Sequence, residues 1–176
     1  MSPLISDVFQ FCPRCGLASE ATGTNPFRCS GCDYTHFFSP CVAVAGVIVD
    51  EQKRVLFLRR QRDPKKGMLG LPGGFVDAGE SVEDALRREV LEEMNLQVRS
   101  IAFLASYPNQ YEYKGVILPV TDVFFTCEVE TLDTIAPEKS EVASWHFCHP
   151  CEATLSEMAF ESNRRAVQAY LDQTEN

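Results

Sequence analysis

The chain contains short apolar runs, which predict strands, separated by polar turns and by two stretches with helical spacing. Residues 42–49 and 55–58 are rich in β-branched and other apolar side chains, and the polar turn 50–53 separates them. Runs of similar character follow at residues 101–106, 116–130 and 144–147. Short apolar runs bounded by turn residues favour strands. Together with the helical stretches they predict a domain of the α/β class.

Two segments place apolar residues at helical spacing, residues 81–94 and 157–171. One face of the first is formed by Val82, Ala85, Leu86 and Val90. Ser81 predicts its start, because an acidic residue follows three positions later as in a capping box. Asn95 predicts its end, because asparagine tolerates a left-handed backbone. The long connection 61–81 is punctuated by glycine and proline, and loops of this length are usually functional.

The first predicted helix carries acidic residues on its apolar side. At roughly 100° per residue, Glu89 and Glu93 fall inside the apolar arc and Glu92 lies on its edge. An unpaired buried carboxylate is costly, and neighbouring carboxylates also repel each other. Arg88 can pair with Glu92, but one arginine cannot balance three acids. Because oxygen ligands suit magnesium or manganese, the segment predicts a divalent-cation site.

Two C-x-x-C pairs near the N-terminus predict a structural zinc site, with the ligands Cys12, Cys15, Cys29 and Cys32. Each two-residue spacer brings two sulfurs onto one side of a tight turn, as tetrahedral zinc requires. Four protein ligands close the coordination sphere, so such a site stabilises and does not catalyse. We therefore predict a zinc ribbon at residues 1–38 and a main domain at residues 39–176.

Cys148 and Cys151 form a third C-x-x-C pair, for which a second zinc site and a redox pair are the alternatives to ordinary loop thiols. The remaining cysteines, Cys41 and Cys127, are isolated in the sequence. No further pair therefore completes a second set of four ligands. This favours ordinary loop thiols.

Composition narrows the class of protein. The 176 residues are enough for one domain with a small appendage. A net charge of -9 argues against a broad basic surface for nucleic acid. Residues 1–11 lack the features of a signal peptide and no apolar stretch reaches membrane-spanning length, so we expect a cytoplasmic protein without a membrane partner. Eight cysteines then read as thiols or metal ligands.

Residues 74–96, GFVDAGESVEDALRREVLEEMNL, resemble the Nudix box. The matching positions are Gly74, Glu80, Arg88, Glu89, Val90, Glu92, Glu93 and Leu96. Asn95 stands where the pattern has glycine, a mild departure because asparagine also visits the left-handed region. The resemblance implies an α/β/α sandwich with a mixed sheet. It also implies a hydrolase that uses magnesium or manganese to cleave a nucleoside diphosphate linked to another moiety.

The resemblance also implies roles for individual residues. The implied metal ligands are Glu89, Glu92 and Glu93, with the carbonyl of Gly73 as a further ligand. Glu80 and Arg88 would support them and complete the catalytic set. A metal held there would neutralise pyrophosphate oxygens and lower the pKa of an attacking water.

A zinc ribbon ahead of a Nudix domain is similar to the NADH pyrophosphatase branch, which implies an NAD(H)-type dinucleotide or ADP-ribose as substrate. The motif that follows the box in that branch matches here only at Ser106 and Pro108. Alternatives are a nucleoside triphosphate pyrophosphohydrolase and a non-catalytic nucleotide sensor whose ribbon binds nucleic acid. By analogy with the family, the chain can form a homodimer.

Several residues outside the box are candidates for substrate contact or proton transfer. The candidates for substrate contact are Arg59, Arg60, Tyr107 and Tyr111, with a solvated basic rim and hairpin packing as the alternatives. Glu138 and Glu141 lie in a predicted loop and are the candidates for a general base, with ordinary surface charge as the alternative.

Overall fold

The structure of the chain, a computed structural model, describes residues 2–19 and 22–174. Its contacts divide into unit 1, Met1–Cys41 with Gln110–Val120, and unit 2, Val42–Asn109 with Thr121–Asn176. The domain boundary between residues 38 and 39 stays a prediction. Met1, Glu20 and Ala21 of the predicted ribbon, and Glu175 and Asn176 of the predicted main domain, lie outside the described residues.

The helices and strands of the described residues run in the following order: β1 Phe27–Arg28, β2 Thr35–His36, β3 Cys41–Ile48, β4 Val55–Arg60, β5 Leu69–Gly70, β6 Gly73–Phe75, α1 Val82–Met94, β7 Val98–Tyr113, β8 Val116–Val129, β9 Val142–Cys148, α2 Glu152–Ser156 and α3 Glu161–Thr174. Strands β1 and β2 form a small antiparallel sheet in unit 1. The larger sheets have the orders β6-β3-β8-β7 and β5-β4-β9.

Unit 2 has a hydrophobic core on each side of its sheets. Successive side chains of a strand point to opposite faces, so Val44 and Ile48 of β3 lie on the face that α1 covers, whereas Ala45 and Val47 lie on the other. In the first core, Val44 and Ile48 pack with Leu86, Val90, Met94, Leu56, Leu58 and Phe125. The second contains Ala166, Val167, Tyr170, Val55, Phe57 and Phe124. The predicted α/β class and α/β/α layering are confirmed.

Helix α1 begins and ends where the sequence predicts. Ser81 is its N-cap residue, and its Oγ accepts a hydrogen bond from the Asp84 N–H (3.1 Å). Asn95 ends the helix with a left-handed backbone, at φ 57° and ψ 35°. Both caps satisfy backbone groups that the helix itself leaves unpaired. The packing of Leu86, Val90 and Met94 on the core sets which way the acidic residues between the caps face.

The predicted helix 157–171 is wrong in its first turn, because α2 ends at Ser156 and α3 begins only at Glu161. The intervening backbone pairs with β5 instead. The Ala159 N–H donates to the Leu69 carbonyl (2.7 Å), and the Leu69 N–H donates to the Glu157 carbonyl (2.9 Å). This long-range pairing replaces helical hydrogen bonds that the local apolar spacing predicts.

The predicted strands are present but differ in length. The run at 101–106 is part of a strand that covers Val98–Tyr113, and the run at 144–147 extends to Val142–Cys148. The connection 61–81 also contains β5 and β6, which pair with β4 and β3. Strands of two or three residues are too short to show a hydrophobic period, so pairing alone reveals them.

Candidate functional site

Two glycines of the loop before α1 form the base of the candidate site. Gly73 has φ 149°, and a Cβ at this position would collide with the Val44 carbonyl oxygen, so only glycine fits. A Cβ on Gly74 would lie 2.5 Å from the carboxylate carbon of Glu89. The Glu89 carboxylate therefore occupies the space that a side chain at position 74 would fill.

The acidic residues of α1 differ in burial as the helical phase predicts. The side chain of Glu89 is 14% exposed, whereas that of Glu92 is 61% exposed. Glu93 is partly buried, and one of its carboxylate oxygens accepts a hydrogen bond from the Gly73 N–H (2.9 Å). Two carboxylates thus face protein and the third faces solvent at the rim.

Arg88 connects the acidic residues to one another. Its guanidinium donates to both carboxylate oxygens of Glu80 (3.0 Å each), to Glu89 (2.8 Å) and to Glu92 (3.2 Å). It also donates to the Phe75 carbonyl (3.0 Å), at the end of β6. A bidentate arginine fixes both position and orientation of a carboxylate. Arg88 and Glu80 therefore join α1 to the glycine loop.

The charges of the site are not balanced by this arginine. Burial raises the pKa of Glu89 even though Arg88 stabilises its charged form. The pKa of Glu93 is raised to about 8, chiefly by burial and also by the charges of Glu89 and Glu141, while the Gly73 N–H and the charge of Arg60 oppose the rise. Glu93 therefore favours the protonated form near neutral pH unless a cation binds. A hard dication with oxygen ligands fits this donor set.

Glu141 lies close enough to the helix acids for its charge to raise the pKa of both Glu89 and Glu93. Arg62 forms an ion pair with it (2.9 Å). The loop that carries it is tied to α1, since the Glu138 N–H donates to the Glu93 carbonyl (2.9 Å). The structure thus brings Glu141 to the acidic site.

Glu138 has a local role in the same loop. Its carboxylate accepts a hydrogen bond from the Ser140 N–H (3.0 Å), which lowers the pKa of Glu138. A carboxylate with a lowered pKa is a weaker base than one whose pKa lies near the working pH. Of the two predicted bases, Glu141 has the better placement.

The arginines predicted to contact substrate are held by unit 2 in different ways. Arg59 donates to the Gly67 carbonyl (2.6 Å) and pairs with Glu157 (2.9 Å). Arg60 donates to the Pro64 carbonyl (2.9 Å), and its guanidinium lies over the Phe160 ring. The charge of Arg60 also acts on Glu93, where it partly opposes the rise in the pKa of that carboxyl. Arg60 is therefore the arginine of this pair that the structure connects to the acidic site.

The two candidate tyrosines belong to different units, Tyr107 to unit 2 and Tyr111 to unit 1. The guanidinium of Arg165 lies 3.9 Å above the centre of the Tyr107 ring, and Phe124 packs beside it. One face of Tyr107 is thus already covered by protein. Tyr111 lies near the end of β7, which is joined to β8 by a two-residue turn at Lys114 and Gly115, both with positive φ.

The four N-terminal cysteines of unit 1 come together as the zinc prediction requires. Their sulfurs all lie within 4.8 Å of one another. Cys12 and Cys32 are 3.7 Å apart, and Cys15 and Cys29 are 3.6 Å apart. Zinc–sulfur bonds of about 2.3 Å in a tetrahedron place sulfurs roughly 3.8 Å apart. The set fits zinc, and the distances are far longer than a disulfide bond.

The cysteine and glutamate clusters differ in assembly. The sulfurs of the cysteine cluster already lie close enough together to hold a metal ion. Within residues 2–19 and 22–174, no other group of three or more His, Cys, Asp or Glu side chains is gathered as closely. In the glutamate site, Arg88 and the Gly73 N–H hold the carboxylates individually. Arg88 contacts Oε1 of Glu89 and Oε2 of Glu92, so one oxygen of each carboxylate is already in use before a cation binds.

Two features of unit 2 were not predicted from the sequence. The Gly73 N–H, rather than its carbonyl alone, takes part in the site. Asp122 is buried, and accepts hydrogen bonds from the Ser162 hydroxyl (2.5 Å) and the Asn109 side chain. The sequence feature that could have predicted this burial is the spacing of Asp122 and Phe124, because residues two apart on a strand point to the same face. Its hydrogen bonds tie β8 to the start of α3.

Comparison with known proteins gives a match to the NUDIX domain family over residues 39–170. In the solved structure of a NUDIX hydrolase from Nitrosomonas europaea, a similar fold covers 93% of this chain and 91% of that one, with a TM-score of 0.71 and 23% identity. The likeness supports the fold. No helix among the described residues has the length and apolarity needed to cross a membrane.

Three curated relatives cover parts of the chain. The ADP-ribose pyrophosphatase of Methanocaldococcus jannaschii is 40% identical over 79 residues, which are 44% of this chain and 46% of the relative. The human mitochondrial NAD(P)H pyrophosphatase NUDT13 is 36% identical over 100 residues, 57% of this chain and 28% of the relative. The NAD-capped RNA hydrolase NudC of Vibrio parahaemolyticus is 34% identical over 103 residues, 56% and 38% respectively. The chain thus spans less than half the length of these relatives.

Proposed function

The chain belongs to the NUDIX family, and from this premise we propose that it hydrolyses the pyrophosphate bond of a nucleoside diphosphate derivative. The proposed substrate is an NAD(H)-type dinucleotide or ADP-ribose. The names of the relatives, an ADP-ribose pyrophosphatase and an NAD(P)H pyrophosphatase, support this choice. The proposed cofactors are Mg²⁺ or Mn²⁺ for catalysis and Zn²⁺ for structure. The cytoplasmic location remains a prediction.

The observation that carries the proposal is the inward placement of Glu89 and Glu93 against the glycine loop. Burial raises the pKa of both carboxylates, and one arginine does not offset their repulsion. Such a group of oxygen ligands is suited to a divalent cation and costly without one. When bound, the cation supplies Lewis-acid stabilisation of phosphoryl charge and makes a water molecule a stronger acid.

The residues of the chain would divide the remaining work. Glu89, Glu92 and Glu93 hold the cation with the carbonyl of Gly73, and the Gly73 N–H orients Glu93. Arg88 and Glu80 hold α1 in a fixed position against the glycine loop. Two further residues act on substrate and water. Arg60 would contact the phosphate groups of the substrate. Glu141 would accept a proton from the attacking water, because Glu141 lies close enough for its charge to act on Glu89 and Glu93.

A panel of substrates tests the proposal. Full-length protein is incubated with NADH, ADP-ribose and dGTP in Mg²⁺, in Mn²⁺ and without divalent metal, and phosphate-bearing products are separated by chromatography. We expect metal-dependent cleavage of NADH or ADP-ribose at the pyrophosphate bond and slower turnover of dGTP. Preferred cleavage of dGTP would instead support the triphosphate pyrophosphohydrolase. Metal-independent cleavage would contradict the proposed site.

An RNA with an NAD cap is the second candidate substrate, because several relatives are NAD-capped RNA hydrolases. The net charge of -9 opposes extensive contact with an RNA backbone. We therefore expect the capped RNA to be cleaved more slowly than free NADH. Tight oligonucleotide binding at physiological salt, with no hydrolysis of any substrate in the panel, would support the non-catalytic sensor instead.

A further inference from the structure

The third C-x-x-C pair lies where β9 leads into α2. Cys148 is the last residue of β9 and is half-buried against the core on the α3 side. Cys151 is the N-cap residue of α2 and is exposed. The hydroxyl oxygen of Thr154 lies 3.9 Å from the Cys148 sulfur and 3.4 Å from the Cys151 sulfur. One hydroxyl group therefore lies within 3.9 Å of both sulfurs, so the two thiols are neighbours where β9 leads into α2.

Cys151 has the environment of a reactive thiol. The Thr154 hydroxyl and the backbone N–H groups of Thr154 and Ala153 stabilise its thiolate. They outweigh burial and the charge of Glu152, so the pKa of Cys151 is lowered from its usual value. Because the thiolate is the nucleophile, an exposed cysteine with a lowered pKa reacts faster than an ordinary one.

The other cysteines lack this combination. Cys127 is buried, and burial raises its pKa to about 12, which makes it inert. Cys41 is exposed but is not part of a C-x-x-C pair. The four N-terminal cysteines form the cluster suited to zinc. Cys148 and Cys151 thus combine an accessible nucleophile with a nearby second thiol.

We propose that Cys148 and Cys151 are a reversible dithiol–disulfide site that reacts with low-molecular-weight disulfides. The Cys151 thiolate attacks one sulfur of the small disulfide, forms a mixed disulfide and releases one small thiolate. The Cys148 thiolate then attacks the Cys151 sulfur and releases the second small thiolate. The two cysteines are oxidised to one disulfide, the small disulfide is reduced to two thiols, and the protons of both cysteines pass to solvent or to the released thiolates.

The site is tested on the zinc-loaded full chain with oxidised glutathione as the probe. Free thiols are then alkylated, and the protein is mapped by mass spectrometry without reduction. We expect the peptide that contains both cysteines to lose two hydrogens in wild-type protein. In Cys148→Ser, glutathione should remain attached to Cys151, because the thiol that displaces it is missing. Cys151→Ser should react much more slowly, and Cys41→Ser is the matched control that should behave as wild type.

Thr154→Val tests the shared hydroxyl while nearly preserving side-chain size. The rate of Cys151 alkylation at neutral pH should fall several-fold, with no change at Cys41. The proposal is wrong if wild-type protein accumulates glutathione on Cys151 without forming the internal disulfide. It is equally wrong if Cys151 is alkylated no faster than Cys41.

Discussion

The two candidate metal sites of the molecule are assembled in opposite ways. In unit 1, two pairs of sulfurs lie 3.6 and 3.7 Å apart, close to the spacing in a tetrahedral zinc site, and all four lie within 4.8 Å of one another. In unit 2, the carboxylates of α1 are held by Arg88 and by the Gly73 N–H rather than by one another. The cysteines are therefore already gathered as a zinc site requires, whereas the positions of the carboxylates are set by hydrogen bonds to the protein.

The hydrophobic cores explain this difference. In unit 1 the buried core residues are Cys12, Phe27 and Cys29, so two of them are themselves proposed zinc ligands. In unit 2 the acidic helix packs through Leu86, Val90 and Met94 on a core of strand residues that is independent of any ligand. A small core that contains its own ligands needs the ion in order to fold. The ion proposed for the acidic site would act in catalysis, because none of its glutamates belongs to the hydrophobic core beneath α1.

Zinc removal should have the largest effect and should act on unit 1. Binding of structural zinc contributes on the order of 10 kcal/mol in small zinc domains, and a core as small as this one cannot replace it. We expect a zinc-selective chelator to abolish amide-hydrogen protection in residues 27–36 while residues 82–94 remain protected. Hydrogen-exchange mass spectrometry measures both segments in one sample, so the helix is the internal control. Unchanged protection of residues 27–36 after verified zinc loss would show that unit 1 folds without zinc.

Glu93→Gln should separate activity from stability. The amide keeps the shape of the side chain but loses the charge that holds a dication, so we expect pyrophosphate hydrolysis to fall more than about 100-fold, beyond the loss typical of supporting residues. The metal-free fold should be as stable as wild type or more so, because the neutral amide avoids the cost of keeping the buried Glu93 carboxyl protonated near neutral pH.

The matched control is Glu83→Gln, which changes an exposed acid in the first turn of the same helix. Its activity should remain within about two-fold of wild type, as expected for a surface substitution. The measurements are kcat/KM in Mg²⁺ and thermal unfolding without metal. Equal activity losses in the two variants would mean that helix charge in general, and not the buried carboxylate, matters.

The metal-free protein should become less stable as the pH rises from about 5 to 8. The pKa of Glu93 is raised from 4.5 to about 8 in the folded chain. The folded state therefore keeps a proton that the unfolded state has released, and the free energy of unfolding falls with pH in this interval. We expect a loss on the order of 2 kcal/mol, since one pKa unit corresponds to about 1.4 kcal/mol and relaxation of the site reduces the full effect.

Denaturant unfolding at several pH values measures this loss. Glu93→Gln should remove most of the slope, and saturating Mg²⁺ should reduce it by binding the ionised carboxylate. Metal affinity should in turn increase with pH through this interval, because the ligand must lose its proton. A pH slope that is identical in wild type and Glu93→Gln would assign the effect to another group.

The parts of these sites that the sequence predicts are those fixed by local spacing. Two-residue spacers place the cysteines of each pair together, and the helical period turns Glu89 and Glu93 toward the protein. The placement of Glu141 and the start of the second predicted helix depend on contacts between distant segments. The Ala159 N–H bonds to Leu69 across the chain, and no local pattern encodes this contact.

Asn95 offers the smallest and most discriminating test, because it ends the helix two residues after Glu93. Asn95→Gly relieves the left-handed backbone at φ 57° but removes the hydrogen bond from the Asn95 side chain to the Thr134 carbonyl (3.0 Å). These effects oppose each other, so the free energy of unfolding should change by less than about 0.5 kcal/mol. Asn95→Ala has neither benefit, so it should lower the free energy of unfolding by about 1 kcal/mol.

Activity of the same two variants tests whether the helix end positions the carboxylates. If the packing of α1 on the core is enough to position them, both variants keep kcat/KM within about two-fold of wild type, the range of a change outside the site. A large loss of activity in Asn95→Gly at unchanged stability would show that the helix end itself positions the carboxylates.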